Sequence, residues 1–299
     1  MSSDNNTFLP HDPIAEAQGL MARGDFDAAG QLLIAARDMP ASRLAAHNLI
    51  EREFPSLSYG QWMGCPCEIS PADDIYKFFA SHPSSLNPIR DYLADGWRTM
   101  AELVLLLEQA NHPLLRARSL LEFASGHGRF TRHLVKALGA GRVVVSDVVA
   151  DSVDFAREVF EVKGFVSAAV PEDVAWSEQH DVVFVLSLFS HLPPSTWSRW
   201  LRRIYEMVAP GGVLVFTTHG TEAARKQGVT LDAEGYFFTP SSESNAIDGQ
   251  EYGTAFTSEA YVRTRIAEHL PDARLLQFAP QHFWHHQDAF VVQRPALVT

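Results

Sequence analysis

The sequence predicts an α/β fold: a doubly wound, mostly parallel sheet of about seven strands, preceded by an α-helical N-terminal region. Three observations predict it. Short β-branched runs alternate with amphipathic stretches from about residue 115 onward, the pattern of βαβ units. A turn of small residues, Ala124-Ser125-Gly126-His127-Gly128, joins the first of those runs to a helix. Ahead of residue 115 the apolar residues recur at helical spacing instead.

The helical region, 1–114, opens with helices over 14–23 and 26–38, turned at Gly24-Asp25. Ala15, Leu20, Gly24, Phe26, Ala29, Leu33 and Ala36 give the stretch 14–38 a tetratricopeptide-like pattern. One such unit cannot bury its face without neighbours, so the pair is expected to dock on something else. Further helices are predicted over 41–54, 71–81 and 88–111, and 56–70, with Gly60, Gly64 and Pro66, reads as a loop. Within 115–299 the predicted order is strand 119–123, helix 128–138, strand 142–146, helix 151–162 and strand 165–169. A fourth strand, 181–188, lacks alternation and so should be buried on both faces. Helix 194–208 stops at Ala209-Pro210-Gly211-Gly212, and strand 213–218 follows. After an irregular insert, 221–257, come helix 258–270 and strands 273–278 and 289–293.

Composition narrows the partners. The 299 residues carry 24 Lys+Arg against 36 Asp+Glu, a formal charge of -12 that repels phosphate backbones. The densest basic cluster, Arg199, Arg202 and Arg203, reads as a solvated helix face, so no nucleic acid is expected. The most apolar runs, 103–107 and 182–189, fall short of the ~20 residues that span a bilayer, and the start of the chain is polar. A cytoplasmic protein with no membrane partner is the expectation, and a homodimer is compatible with it. Cys65 and Cys67, the only cysteines, read as ordinary intracellular thiols. The run from His282 to Asp288 lacks a carboxylate–His pair upstream, so no metal is expected.

The chemistry concentrates after residue 119. A buried strand carries Glu122, a small-residue turn follows, and a helix N-terminus beyond it offers N–H groups to an anion. Asp147 ends the second strand 19 residues past Gly128, placed to accept from two ribose hydroxyls. Together these features predict an adenosine-containing ligand. A dinucleotide fingerprint would want glycine where Thr131 stands, and Glu122 suits an ammonium better than a pyrophosphate. S-adenosylmethionine, with an amino group and a sulfonium, fits those charges.

These residues resemble the class I S-adenosylmethionine-dependent methyltransferases. Glu122 to Gly128 is similar to their first motif, acid-x-G-x-G-x-G, with Ala124 at the first glycine. Arg129-Phe130-Thr131-Arg132-His133-Leu134 resembles a subgroup variant, 180–187 the fourth strand, and Ala209-Pro210-Gly211-Gly212 the approach to the fifth. The resemblance implies a Rossmann-like fold and a cofactor site made of Glu122, Ala124, Ser125, Gly126, Gly128, Asp147, Val148, Ser187 and Leu188. It departs after the third strand, where 166–171 lacks the acid that often reads adenine. That role is left to backbone near Ala169 and Val170, or to Glu172 or Asp173.

A hydroxyl or ammonium acceptor needs a base, and His191 and His219 follow the fourth and fifth strands. They are the catalytic candidates, and both segments resemble one methyltransferase subgroup. The insert, with Tyr236, Phe237, Phe238, Glu243, Tyr252 and Phe256, is expected to act as a lid, facing Tyr76, Tyr92 and Trp97 of the helical region. The predicted reaction is O- or N-methylation of a small-molecule or glycan-type acceptor. The alternative is a non-catalytic adenosyl-binding module that holds a protein partner through its helices.

Overall fold

The computed structural model describes residues 12–241 and 249–296, so Glu243 lies outside the described residues. The chain divides into two compact units, 1–71 and 72–299. The helices predicted over 71–81 and 88–111 therefore go with the sheet and not with the first helical pair.

The first unit is helical: α1 (Pro13–Ala22), α2 (Phe26–Asp38), α3 (Arg43–Glu53) and the short α4 (Tyr59–Met63). Asp12 and Asp25 cap α1 and α2 by accepting from Ile14 N and Ala28 N, and Gly24 makes the turn at φ +83°. Ala17, Ala29, Leu33, Ala46 and Ile50 close the core between them. The stretch predicted as a loop is pinned to α3 and carries α4. Glu51 accepts from Tyr59 N and Gly60 N, and His47 Nε2 donates to the Cys67 carbonyl at 2.8 Å. Cys65 and Cys67 are buried, and no disulfide joins them.

The second unit begins with α5 (Asp74–Ser81) and α6 (Pro88–Gln109). Then follow β1 (Leu120–Phe123), α7 (Thr131–Leu138), β2 (Val143–Asp147), α8 (Ala150–Phe160), β3 (Lys163–Val166), β4 (His180–Val185), α9 (Pro194–Glu206) and β5 (Val208–His219). The insert forms α10 (Thr221–Lys226) and a hairpin of β6 (Tyr236–Thr239) and β7 (Thr254–Thr257). It is more regular than the sequence predicts, because its aromatic residues pack in pairs. The chain closes with α11 (Glu259–His269), β8 (Arg274–Phe283) and β9 (Gln287–Gln293).

The seven strands run in the order β3-β2-β1-β4-β5-β9-β8, parallel except for β9, which is antiparallel to both its neighbours. Alternate side chains fill two cores. Leu121, Phe123, Val183, Val185, Leu214 and Phe216 face one layer of helices. Leu120, Val143, Val145, Val182, Phe184 and Val215 face the other. The strand order reverses between β1 and β4, which opens a crevice at their carboxyl ends.

Three boundaries differ from expectation for physical reasons. Helix α7 starts at Thr131 and not at residue 128, because Gly126 and Gly128 hold left-handed φ values of +55° and +80°. Strand β3 pairs earlier than predicted, from Lys163, since Gly164 lets the backbone press against Val145 and Val153. Strand β8 runs on to Phe283 and turns through Trp284 and His285, both near φ +55°. Glu102 of α6 pins that turn by accepting from Trp284 N at 3.1 Å. Among the described residues, no helix is long and apolar enough to cross a membrane.

Candidate active site at the carboxyl ends of the strands

The loop after β1 is a succession of left-handed residues. Ala124 takes φ +60°, where the family pattern has glycine, at a cost of about 1–2 kcal/mol. Its methyl group offsets part of that by packing against the core beneath. A Cβ at Gly126 would meet nothing within 4 Å, so this side of the loop faces open space. A Cβ at Gly128 would come within 2.1 Å of the Phe160 ring. Gly128 is therefore required by packing on α8 as well as by φ, a reason the motif alone does not give. Ser125 N donates to the Ser146 carbonyl at 3.0 Å, which ties the loop to β2.

Asp147, the last residue of β2, accepts from Gly126 N at 2.8 Å on one oxygen and from Val149 N at 2.9 Å on the other. Each carboxylate oxygen can accept a second bond, so acceptor capacity remains for a pair of hydroxyls. Burial raises its pKa, and the amides of Val149, Gly126 and Val148 hold it back. Half-buried Val148 follows directly. Glu122 is buried on β1 and accepts from Thr131 Oγ1 at 2.6 Å. Burial pushes its pKa up to about 8, helped by the nearby charge of Asp147. Open space at Gly126, spare acceptor sites on Asp147 and a buried carboxyl that would gain from a cation fit a ligand bearing a ribose and an ammonium group. Thr131, read in the sequence only as a missing glycine, is the partner of Glu122.

The loop after β4 turns at Ser187, with φ +63°. Ser187 N donates to Thr217 Oγ1 at 2.8 Å, and Gln287 Nε2 donates to Ser187 Oγ at 2.7 Å. Leu188 points into the core, so only its backbone faces the crevice. His191 Nδ1 donates to the Gly253 carbonyl at 2.7 Å, which puts the lone pair on Nε2. Its ring stacks on Tyr252 with centroids 4.5 Å apart. Gly253 N and Ala255 N donate to the carbonyls of His191 and Ser190, so the β6–β7 hairpin is laced to this loop. Tyr236 OH fastens it further by donating to the Leu192 carbonyl at 2.5 Å.

His219 ends β5. Its ring centroid lies 6.0 Å from that of His191, 5.0 Å from that of His286 and 5.2 Å from that of Phe256. Burial, reinforced by the two neighbouring histidines, depresses its pKa to about 3, so it is neutral at every physiological pH. The structure thus brings both predicted histidines together. It adds His286 and Gln287, from the run 282–288 that the sequence raised only as a metal candidate, and Thr217, two residues before His219. No local motif marks their place beside it. Only the antiparallel pairing of β5 with β9, which sets His219 opposite Gln287, reveals them.

Other sequence candidates go elsewhere. Tyr92 is buried on α6 and donates to Asp73 Oδ2 at 2.6 Å, edge-on to Tyr76, so both serve the packing of α5 on α6. Trp97 is 53% exposed and sets its edge against His133. Glu172 is held at the surface by Arg199. Arg203 pairs with Glu206, and Arg202 meets His269, so the basic cluster on α9 is internally satisfied.

Residues 120–212 match the family model described as a methyltransferase domain. No curated protein matches the chain. Among solved structures, DesVI of Streptomyces venezuelae is 17% identical, with 77% of this chain and 100% of that one covered at a TM-score of 0.49. Magnesium protoporphyrin IX methyltransferase from Synechocystis, with bound S-adenosylhomocysteine, is 14% identical, with 74% and 93% covered and a TM-score of 0.47. A didemethyltoxoflavin N1-methyltransferase from Burkholderia thailandensis is 15% identical, with 69% and 82% covered and a TM-score of 0.46. The match to a methyltransferase domain thus covers 120–212, the segment from β1 into the start of β5 that carries the turn at Gly126 and Gly128, Asp147 and Ser187.

Proposed function

We propose that this protein methylates an oxygen or nitrogen of a small-molecule or glycan-type acceptor seated at the ends of β4 and β5. The observation that carries the reading is the pair of imidazoles, His191 and His219, beside Ser187 on the rim of the crevice. When bound, S-adenosylmethionine supplies a methyl group made electrophilic by its sulfonium. In this reading Asp147 holds the ribose hydroxyls and Glu122 compensates the amino group. The backbone of Ala124 to Gly128 cradles the cofactor, with Val148, Ser187 and Leu188 at its edges.

His191 is the base. Its Nδ1–H is committed to the Gly253 carbonyl, so Nε2 is the atom that takes the proton from the acceptor. His219, depressed to about 3, is too weak a base for that and instead orients the acceptor. Methyl transfer is otherwise a matter of alignment, which the stacked Tyr252 and the Phe256 ring supply by walling the acceptor in.

Incubation of the protein with labelled S-adenosylmethionine and a fractionated metabolite extract tests the reading, with label expected on a small molecule. On that acceptor His191→Asn should lower turnover by about 10²–10⁴ with cofactor affinity unchanged, and His219→Asn should chiefly raise KM. Label on protein alone, or none, would defeat the proposal.

A further inference from the structure

We infer that Gln287 is a positioning residue that locks the cofactor-side turn at Ser187 to the acceptor-side imidazole of His219. The inference rests on the proposed roles of those two loops and adds the residue that couples them. Gln287 opens β9 and is 3% exposed, with its amide between the ends of β4 and β5. Thr217 Oγ1 accepts from Ser187 N at 2.8 Å and donates its one proton to Gln287 Oε1 at 2.5 Å. That bond fixes the orientation of the amide. Its NH2 then faces Ser187 Oγ at 2.7 Å and His219 Nε2 at 3.5 Å.

Two consequences follow from the donor count. Gln287 Nε2 can only donate, so His219 Nε2 is the accepting nitrogen and its proton sits on Nδ1. Ser187 keeps its left-handed backbone because three groups hold it: Thr217 at its N–H, Gln287 at its hydroxyl and Ser190 at its carbonyl. A single side chain therefore reads both halves of the crevice. Its register opposite His219 is set by the β5–β9 ladder and not by any neighbour in sequence.

The test uses nitrogen-15 NMR of the histidine rings in the full chain, with calorimetry of S-adenosylhomocysteine. In the unaltered protein His219 should carry its proton on Nδ1; a proton on Nε2 overturns the inference without any variant. Gln287→Met should leave His219 as a mixture of tautomers and weaken S-adenosylhomocysteine about two- to tenfold. Thr217→Val, which cuts the same network from β5, should shift the ring the same way. Gln287→Glu keeps the bond from Thr217 but sets a carboxylate against the ring, so the His219 titration midpoint should rise. An unmoved His219 in all three variants sinks the proposal. Asp147→Ala separates it from the cofactor reading, since that change should weaken the ligand and leave the His219 tautomer alone.

Discussion

The two sides of the crevice are built by different means. On the proposed cofactor side, the loops after β1 and β2 are built mainly from backbone: left-handed residues at Ala124, Gly126 and Gly128, and amides aimed at Asp147. On the proposed acceptor side, side chains from β5, β9, the loop after β4 and the β6–β7 hairpin meet across long sequence separations. Backbone geometry is written locally, in residues that tolerate φ > 0 and a carboxylate at a strand end. Side-chain geometry of the second kind depends on strand register and hairpin docking. The cofactor half is accordingly the local part, and the acceptor half is an assembly.

The largest effect should come from the cofactor side. Gly128→Val faces both φ +80° and the Phe160 ring, and should cost about 2–5 kcal/mol of stability, read in the melting temperature, together with loss of cofactor binding. A variant that melts normally would show that α8 yields. Next is the pH dependence set by Glu122. Its pKa is about 8 in the fold against an ordinary 4.5, so the native chain holds a proton that the unfolded chain has lost. The stability contribution is complete below about pH 4.5 and is lost as pH rises to and through 8, by on the order of 5 kcal/mol in the cofactor-free protein. Denaturant titrations of Glu122→Gln should lack that slope. A cationic ligand beside Glu122 lowers its pKa again, so S-adenosylmethionine should release a proton on binding, measurable by calorimetry in buffers of different ionisation enthalpy.

Asp147→Ala comes third. Charge-assisted bonds to ribose hydroxyls are worth about 1.5–3 kcal/mol each, so affinity should fall roughly ten- to a hundredfold in calorimetry. Unchanged affinity would place the ribose elsewhere. The smallest effect belongs to the acceptor side. Tyr236→Phe removes one hydrogen bond between the hairpin and the Leu192 carbonyl, about 1 kcal/mol and a melting shift of about 2–4 °C. Cofactor affinity should not change, and if it does the two halves are not separate.

The sequence pointed to the proposed cofactor half because Glu122, the turn to Gly128 and Asp147 sit at fixed offsets around strand ends. It pointed to His191 and His219 for the same reason, each being near the end of a strand. It could not show Gln287 or Thr217, which matter only through pairing with strands formed 70 to 100 residues away. The sequence favoured His219 over His191 as the base, since Gly220 leaves room beside it. The proposed roles reverse that order, because the Gly253 carbonyl fixes the His191 ring and burial weakens His219 as a base. Of the fold, the succession of strands and helices and the burial of the fourth strand on both faces were legible in the apolar runs, whereas the spatial order of the strands was not. The hairpin inside the insert was not, since Tyr236 and Phe256 signal packing without saying against what.

The turn at Trp284 and His285 has a consequence for how the chain tolerates insertions and deletions. Both faces of β9 are apolar, with Ala289 and Val291 packed into one core and Phe290 and Val292 into the other. Apolar alternation therefore does little to reject a one-residue slip of this strand. What rejects it is polar: Gln287 against Thr217, Asp288 accepting from Gln281 N at 2.8 Å, and Glu102 holding the turn. One residue gained or lost between Phe283 and Gln287 would keep a hydrophobic sheet yet send the Gln287 amide away from His219. The length of that hairpin is thus as much a part of the acceptor site as any side chain in it.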